Sequence, residues 1–549
     1  MVRGEDGYDH RVHSFGPLIP ALAPMARAWG APGLAAMGRR ALTRDIGSRP
    51  GRATPRAGRA VLTLVVLAAV AGCAPLGGAT SSGGTAGGAR ITPRAAGPPP
   101  PSATATAMPA STNPSALLAA AVCWYDDASR ASACVPPPRE ALDAIAAKGA
   151  SGDRRFIAPL IDMRAVDVGW DAEVDTALVA LTGQRLDSGA AWYAWLAEHV
   201  QPLPAGYQRW KGRLLAISDP TFASILEGPA AEGVRPELVQ WAGLRTGELP
   251  RLDEPRTATT ESHGYLEDGD VVYGLQAGGA LAAYPARILA WHSVVQDRVG
   301  GVSVLVTYCG PCASASAFSP NVGGRALRFR DAGLWLDGRP LIVDEQTGSL
   351  WDAYSGRAVL GALAAAKVEL PRLPLVTSRW QEWAADHPST SVPALETGFV
   401  RDYSAASQQK RDASLAVRFP STSRADDRLP GETRVIGVTV GGEARAYRLD
   451  ELQARRIVLD TLGGERVLFI SQGPNRPVRV YRPGALEVRD IRDDGTILGS
   501  DGREGERWWA REQGIVSQID GRVHEVGAWV ESTWRAWSGS HPGSTVWGR

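Results

Sequence analysis

Two cysteines and one histidine are the residues of this chain whose types and spacing best suit chemistry. Cys309 and Cys312 form a Cys-x-x-Cys motif, and His292 lies shortly before them. A cysteine pair at this spacing can close a disulfide or supply two ligands to one metal. An imidazole can carry a proton or ligate a metal. The same three residues are therefore the candidate catalytic site and the candidate metal site.

Three interpretations of this site are open. In the first, the cysteines are a redox-active or metal-binding pair assisted by His292, and thiolates with imidazole suit a transition metal such as copper. In the second, the cysteines form a structural disulfide that closes a turn, and His292 is a core residue. In the third, the protein binds a partner or a glycan through a face rich in tryptophan, since it has 18 Trp against 8 Phe.

The elements that must position these residues are predicted to be strands. From residue 269 the apolar pattern becomes strand-like, and Gly278-Gly279 is typical of a hairpin turn. Residues 302–308 are mostly β-branched and apolar, which predicts a buried strand leading into Cys309. Tyr308, at the end of that strand, and Asp297 are the candidate supporting residues of the site.

Much of this region recurs later in the chain. Residues 274–284 match residues 437–447, and the same offset carries Asp297 onto Asp460. Both copies also end in a Trp-x-x-Trp motif followed by His-Pro. The chemical residues do not recur, because the second copy has Arg455, Gln472 and Asn475 at the positions of His292, Cys309 and Cys312. The shared residues therefore indicate architecture, and any chemical site belongs to the first copy.

Several motifs in residues 265–395 resemble a bacterial family known as domain of unknown function 3179. They are Ala283-Tyr284-Pro285, Trp291-His292, Tyr308-Cys309-Gly310-Pro311-Cys312, Thr347-Gly348-Ser349-Leu350-Trp351 and Trp380 with His387-Pro388. The family usually has Tyr-Cys-Pro-Leu-Cys and Trp-His-Glu, so this chain keeps the cysteine spacing and loses a carboxylate beside the histidine. The resemblance implies a similar leader, tether and helical region, but its name implies no activity.

The first 73 residues are typical of a lipoprotein leader. The apolar run 61–71 is too short to cross a bilayer and ends in Val70-Ala71-Gly72-Cys73, a lipobox pattern. Cys73 is thus the predicted lipidation site, and membrane lipid is the predicted partner. We expect the mature protein to lie outside the cytoplasm, anchored by lipid to the bacterial cell membrane.

The remaining segments complete a predicted α+β multidomain fold. Residues 74–116 are a Gly, Ser and Pro-rich disordered tether, and residues 117–250 form a helical module resembling HEAT repeats, which suits an envelope protein partner. Two tandem β-rich copies follow at 265–395 and 431–549, joined by a linker at 396–430. Cys123 and Cys134 are predicted to form a disulfide ahead of the helical module.

The bulk charge excludes one class of partner. The chain has 59 Lys and Arg against 58 Asp and Glu, for a formal net charge of +1. Such a balance gives no field that would gather phosphates, so we expect no nucleic-acid partner. The sequence also has no phosphate loop, nucleophile elbow or zinc-protease helix, which disfavours common hydrolase and nucleotide chemistry.

Overall fold

A computed structural model describes residues 138–147, 153–166, 170–258, 262–422, 426–492, 494–502 and 507–548. These residues all lie in one compact unit, Pro101–Arg549. The predicted leader and tether, the lipidation site Cys73 and the cysteine pair Cys123 and Cys134 lie outside the described residues. None of the described helices combines the length and apolar character needed to span a lipid bilayer.

Short helices form the N-terminal part of the described chain. They are α1 (Pro138–Ala147), α2 (Ile157–Val166), α3 (Asp171–Thr182), α4 (Gly189–Glu198), α5 (Tyr207–Leu215) and α6 (Thr221–Ile225). Local sequence sets their ends: Ser188 Oγ accepts a hydrogen bond from Ala191 N at the start of α4, and Gly183 ends α3 with φ of 71°. The helical periodicity predicted for this region is confirmed, whereas the resemblance to HEAT repeats stays a prediction.

A buried ion pair lies inside this helical part. Lys211 Nζ on α5 lies 2.8 Å from Asp162 Oδ1 on α2, and both side chains are 2% exposed. The hydroxyls of Tyr193 and Tyr207 also donate to the Asp162 carboxylate, at 2.6 and 2.5 Å. Three helices are thereby joined by one polar cluster within an apolar core.

The first part of the β-rich region spans β1 to β17. Its strands are β1 (Val239–Trp241), β2 (Leu252–Asp253), β3 (Thr257–Ala258), β4 (Val271–Ala277), β5 (Ala280–Pro285), β6 (Val294–Val299), β7 (Val302–Cys309), β8 (Ser314–Phe318), β9 (Asn321–Val322), β10 (Arg325–Ala326), β11 (Phe329–Leu336), β12 (Arg339–Asp344), β13 (Leu350–Asp352), β14 (Ala358–Leu360), β15 (Arg372–Leu373), β16 (Val376–Arg379) and β17 (Val392–Pro393). The larger sheets have the orders β1-β11-β12-β13-β14, β15-β8-β7-β6-β2 and β16-β4-β5. Helices α7 (Ala286–Leu289), α8 (Ala362–Ala365) and α9 (Trp380–Asp386) accompany them.

The second part of the β-rich region spans β18 to β29. Its strands are β18 (Arg434–Val440), β19 (Glu443–Arg448), β20 (Ile457–Leu462), β21 (Glu465–Ser471), β22 (Val478–Tyr481), β23 (Glu487–Ile491), β24 (Thr496–Ser500), β25 (Arg507–Arg511), β26 (Gly514–Ser517), β27 (Val523–His524), β28 (Trp529–Thr533) and β29 (Thr545–Val546). They form sheets of order β28-β18-β19-β29, β20-β21-β22 and β23-β24-β25-β26-β27. Helices α11 (Leu449–Arg455) and α12 (Trp534–Ser540) belong to this part, so the described chain is an α+β fold with a β-rich C-terminal part.

One helix lies in the segment for which the sequence analysis predicted only a linker. Helix α10 (Ala405–Arg418) begins after Ser404, whose Oγ accepts a hydrogen bond from Ser407 N. None of its residues is fully buried. It packs beside α7, which precedes β6 in the sheet that also contains β7 and β8. Side chains of α10 line a cavity, which is described below.

Candidate functional site

The Cys-x-x-Cys motif forms the tight connection between β7 and β8. Cys309 ends β7, and the chain turns through Gly310 and Ala313, where Ala313 N donates to Gly310 O at 2.8 Å and Ala313 has φ of 47°. The two cysteine sulfurs are bonded to each other, and their Cα atoms are 5.2 Å apart. The residues are 3% and 2% exposed. The motif is therefore a buried disulfide loop.

The disulfide loop is also bonded to the far end of the chain. Thr533 N, at the end of β28, donates to the carbonyl oxygen of Cys312 at 3.1 Å. Both cysteines belong to an apolar cluster that includes Tyr354, Trp534 and Trp537. The Tyr354 hydroxyl and Ser532 Oγ are 2.8 Å apart, which adds a second bond across this contact. Residues from the C-terminal part therefore enclose the disulfide.

His292 is held by a different set of contacts. Its Nδ1 lies 2.7 Å from Pro250 O, and its Nε2 lies 2.6 Å from the Tyr403 hydroxyl. A carbonyl only accepts, so Nδ1 donates, and in a neutral ring Nε2 then accepts from Tyr403. Burial lowers the pKa of His292, which favours this neutral form. His292 is fully buried and anchors the segment that leads into α10.

The three residues of the candidate metal site thus have separate partners. None of the hydrogen bonds or ring contacts of His292 within the described residues reaches Cys309 or Cys312. The described part of the chain also has no group of three or more His, Cys, Asp or Glu side chains arranged to hold a metal ion.

The two candidate supporting residues lie in different surroundings. Asp297 on β6 accepts a hydrogen bond at its Oδ2 from the hydroxyl of Tyr284 on β5, at 2.8 Å. Tyr308 lies beside the disulfide loop, and its hydroxyl donates to Asp412 Oδ2 at 2.6 Å. Tyr308 is therefore next to the motif, whereas Asp297 is bonded to a tyrosine of the hairpin.

Asp412 on α10 is the side chain at this site that sequence reasoning missed. Its Oδ2 accepts from Tyr308 and from Gln408, while its Oδ1 is buried with no hydrogen-bond partner among the residues that the structure describes. A β-carbon on Gly310 would overlap Asp412 Oδ1, so this carboxyl oxygen packs directly on the middle of the disulfide loop. Burial raises the pKa of Asp412 above its usual range.

A second buried carboxyl lies nearby on β11. Asp331 is 4% exposed, and it accepts hydrogen bonds from Gly333 N at 3.0 Å and from Ser293 Oγ at 3.4 Å. Burial raises the pKa of Asp331 to about 7, against the lowering effect of these bonds. Ser293 occupies the position at which the resembling family carries glutamate. In this chain the carboxyl beside that position belongs to Asp331 on β11.

Two cavities meet at the disulfide loop. One of about 420 Å³ lies between α10 and β11, and one of about 430 Å³ lies toward β18 and α11. Tyr308, Gly310 and Asp412 line both of them. Cys312 lines a separate small cavity of about 60 Å³. The loop can thus be approached from several sides, although its sulfurs are covered.

The Thr347-Gly348-Ser349-Leu350-Trp351 motif has a structural role in this arrangement. Asp344 Oδ2 accepts from the Thr347 hydroxyl at 2.7 Å and from Trp351 Nε1 at 2.9 Å. Ser349 Oγ is 2.8 Å from Thr347 Oγ1. These bonds close the turn between β12 and β13, and they lie apart from both cavities at the disulfide loop.

A comparison with known proteins gives one match. A family described as a protein of unknown function (DUF3179) matches residues 246–545. These residues include the disulfide loop, α10 and both β-rich parts except β1 and the last residue of β29. No curated protein and no solved structure matches the chain.

Proposed function

The chain belongs to the DUF3179 family, whose function is unknown, and we propose that it is a thiol–disulfide redox protein whose reactive group is the Cys309–Cys312 disulfide. The observation that carries this proposal is the buried Oδ1 of Asp412, which lies against Gly310 and has no hydrogen-bond partner within the described chain. A disulfide that served only to close a turn would not need a carboxyl placed on its loop. A reactive one needs a nearby group to take up and return protons.

The proposed reaction oxidises a dithiol. One substrate thiolate attacks Cys312, which lines a cavity, so that a mixed disulfide forms and the Cys309–Cys312 bond breaks. Cys309 leaves as a thiolate and takes a proton, which the Asp412 carboxyl supplies. The second substrate thiolate then attacks the substrate sulfur of the mixed disulfide, and Cys312 leaves as a thiolate. Cys312 takes its proton from solvent, which received the protons of the two substrate thiols when they ionised. The substrate is oxidised by two electrons, and the protein disulfide becomes a dithiol.

Electrostatics at Asp412 support its role in proton transfer. Burial raises the pKa of this carboxyl, so it holds its proton closer to neutral pH than an exposed aspartate does. The Tyr308 hydroxyl donates to the same carboxyl, and this bond limits the rise in pKa. Tyr308 is thus a positioning residue for Asp412.

The burial of the disulfide favours a second candidate function, a binding scaffold with a structural disulfide. Cys309 and Cys312 pack with Trp534 and Trp537 and are almost completely covered. In this case the exposed surface would bind an envelope protein or a glycan, and the cysteines would only stabilise the fold.

Reduction of the folded protein separates the two candidates. The full chain is incubated with dithiothreitol at pH 7 without denaturant, and free thiols at Cys309 and Cys312 are counted by alkylation and mass spectrometry. A redox site should be reduced while the protein stays folded, and Asp412→Asn should slow reduction by about tenfold or more. Glu443→Gln, an exposed carboxylate on β19, is the matched control. Reduction that occurs only in urea, at equal rates in all variants, would establish the structural disulfide instead.

We also propose that the two β-rich parts are duplicated copies. Gly278-Gly279 and Gly300-Gly301 form stacked turns, and Gly441-Gly442 and Gly463-Gly464 do the same, all with positive φ. Tyr284 donates to Asp297 at 2.8 Å, and Tyr447 donates to Asp460 at 2.8 Å. Contacts between the parts are reciprocal as well. Strand β16 corresponds to β28, and β8 corresponds to β22. Strand β28 packs on β8, and β16 packs on β22.

The proposed setting of the protein is the outer surface of the bacterial cell membrane. Cys73 would carry the lipid, residues 74–116 would be the tether, and the helical part would resemble HEAT repeats and contact an envelope protein. Incorporation of labelled fatty acid into the wild type but not into Cys73→Ser tests the anchor. The Cys123–Cys134 disulfide is tested by alkylation before and after reduction.

A further inference from the structure

The cavity between α10 and β11, which we call the α10 cavity, has two chemically different sides. Leu244, Leu249 and Trp335 line its apolar side together with Leu415. Its volume of about 420 Å³ falls within the range of about 300–1,000 Å³ found for small-molecule sites. A ligand that fills it would therefore need an apolar body.

The polar side of the α10 cavity carries three cations from one helix. Lys410, Arg411 and Arg418 all line it. Arg411 Nε donates to Ala290 O at 2.7 Å, and its guanidinium lies 4.7 Å from the centre of the Trp291 ring. Among the described residues, none of these three cations forms a salt bridge, and the Nη atoms of Arg411 have no hydrogen-bond partner.

The cavity has only two carboxyls against these three cations, so a net positive charge remains even when both carboxyls are ionised. Asp331 and Asp412 line the same space. Burial raises the pKa of both, to about 7 for Asp331, so that each is more protonated than an exposed aspartate. The cavity therefore has an excess of positive charge beside an apolar wall.

We propose that the α10 cavity binds an amphipathic organic anion, with its charged group at Lys410 and Arg411 and its apolar part against Trp335. Guanidinium and ammonium groups bind a carboxylate or sulfonate through charge-assisted hydrogen bonds. The apolar wall excludes small inorganic anions as the preferred ligands, because they would leave that wall in contact with water. This site does not depend on cysteine chemistry.

Binding of 1-anilinonaphthalene-8-sulfonate, itself an amphipathic anion, tests the proposal. The full chain carries Cys73→Ser so that it needs no detergent, and the fluorescence of the dye is titrated. Decanoate should displace the dye, whereas decanol should compete at least tenfold less well, since a charge-assisted bond contributes about that factor.

Variants locate the site. Lys410→Gln combined with Arg411→Gln should weaken dye binding by about tenfold or more, and Leu244→Trp, which fills the cavity with apolar surface, should weaken it similarly. Lys367→Gln, an exposed lysine paired with Glu232, is the control and should bind as the wild type does. Circular dichroism of each variant confirms folding.

Two results would overturn the proposal. Equal binding by all variants would place the dye elsewhere on the surface, and equal competition by decanol and decanoate would remove the requirement for an anion. A variant with Cys309→Ser and Cys312→Ser should keep its dye affinity. The dye titration of this variant thus distinguishes a failure of the anion-binding proposal from a failure of the redox proposal.

Discussion

Single residues at this site show how burial changes the chemistry of a side chain. Asp412 was not predictable, because Ser407 to Asp412 is a polar stretch typical of a solvated helix face. Asp331 interrupts an apolar strand, which is a weak signal of a buried carboxyl. The cysteine pair was predictable from spacing alone, whereas the partners of His292, Pro250 and Tyr403, come from distant parts of the chain.

Asp331 predicts a pH-dependent contribution to stability. The native protein holds this proton up to about pH 7, whereas an unfolded chain releases it near its usual pKa of 3.8. Stability should therefore fall as pH rises from about 4 to about 7, by at most about 4 kcal/mol. Asp331→Asn should not show this loss. Urea unfolding at pH 5 and pH 8 measures the difference between the two proteins, and a difference that is independent of pH would contradict the assigned pKa.

Elements with regular apolar patterns were the most predictable part of the fold. The strand expected at 302–308 is confirmed as β7, and the helices expected within residues 117–250 are confirmed where the structure describes that segment. Helix α10 was missed because its contacts with the body come from Gln408, Arg411 and Asp412 together with the single apolar residue Leu415, which does not make an apolar stripe. Its position depends on side chains that only the folded protein brings together.

The buried ion pair of the helical part predicts a large loss on breaking it. Lys211→Met leaves the Asp162 carboxylate buried without its cation and should cost about 3–5 kcal/mol in the free energy of unfolding. Adding Asp162→Asn, which still accepts from the tyrosine hydroxyls, should recover part of that loss. Arg209→Met, which breaks an exposed pair with Glu227, should cost less than about 1 kcal/mol. Urea denaturation measures all three, and equal effects at the two pairs would refute the argument.

The proposed duplication predicts matched effects in the two β-rich parts. A β-carbon on Gly274 would overlap the Trp383 ring, and one on Gly437 would overlap the Trp537 ring. Gly274→Ala and Gly437→Ala should each destabilise the protein by about 1–3 kcal/mol. Gly269→Ala, where the added carbon meets nothing within 4 Å, is the control. Thermal unfolding compares them, and a tolerated Gly437→Ala would count against equivalent packing.

At the scale of the whole molecule, contacts between the first and second β-rich parts surround the disulfide loop. Arg434 Nη1 donates to Ala313 O at 2.6 Å, just after the disulfide loop, and its Nη2 donates to Glu531 at 2.7 Å. Thr533 bonds to Cys312, as described above. The sequence indicated two similar parts, but it did not indicate that the second part encloses the disulfide. Arg434 and Thr533 bond to the backbone carbonyls of Ala313 and Cys312, and no side-chain pattern marks a backbone acceptor.

A chain truncated after residue 430 tests this dependence. It lacks the bonds from Arg434, Ser532 and Thr533 and loses the tryptophans that cover the disulfide. We expect its disulfide to be reduced by dithiothreitol at least tenfold faster than that of the full chain, because the sulfurs become exposed. Time-resolved alkylation gives the two rates. Equal rates would show that the second part does not protect the disulfide.

The bond between Thr533 and Cys312 also has a consequence for biosynthesis. Strand β28 is synthesised after the whole of the first β-rich part, so a nascent chain leaves both thiols uncovered until β28 has been made. Enzymes that oxidise or rearrange thiols therefore have access to the pair until that point in synthesis. The order in which the chain is made, as well as its final packing, would then determine whether the cysteines are joined correctly.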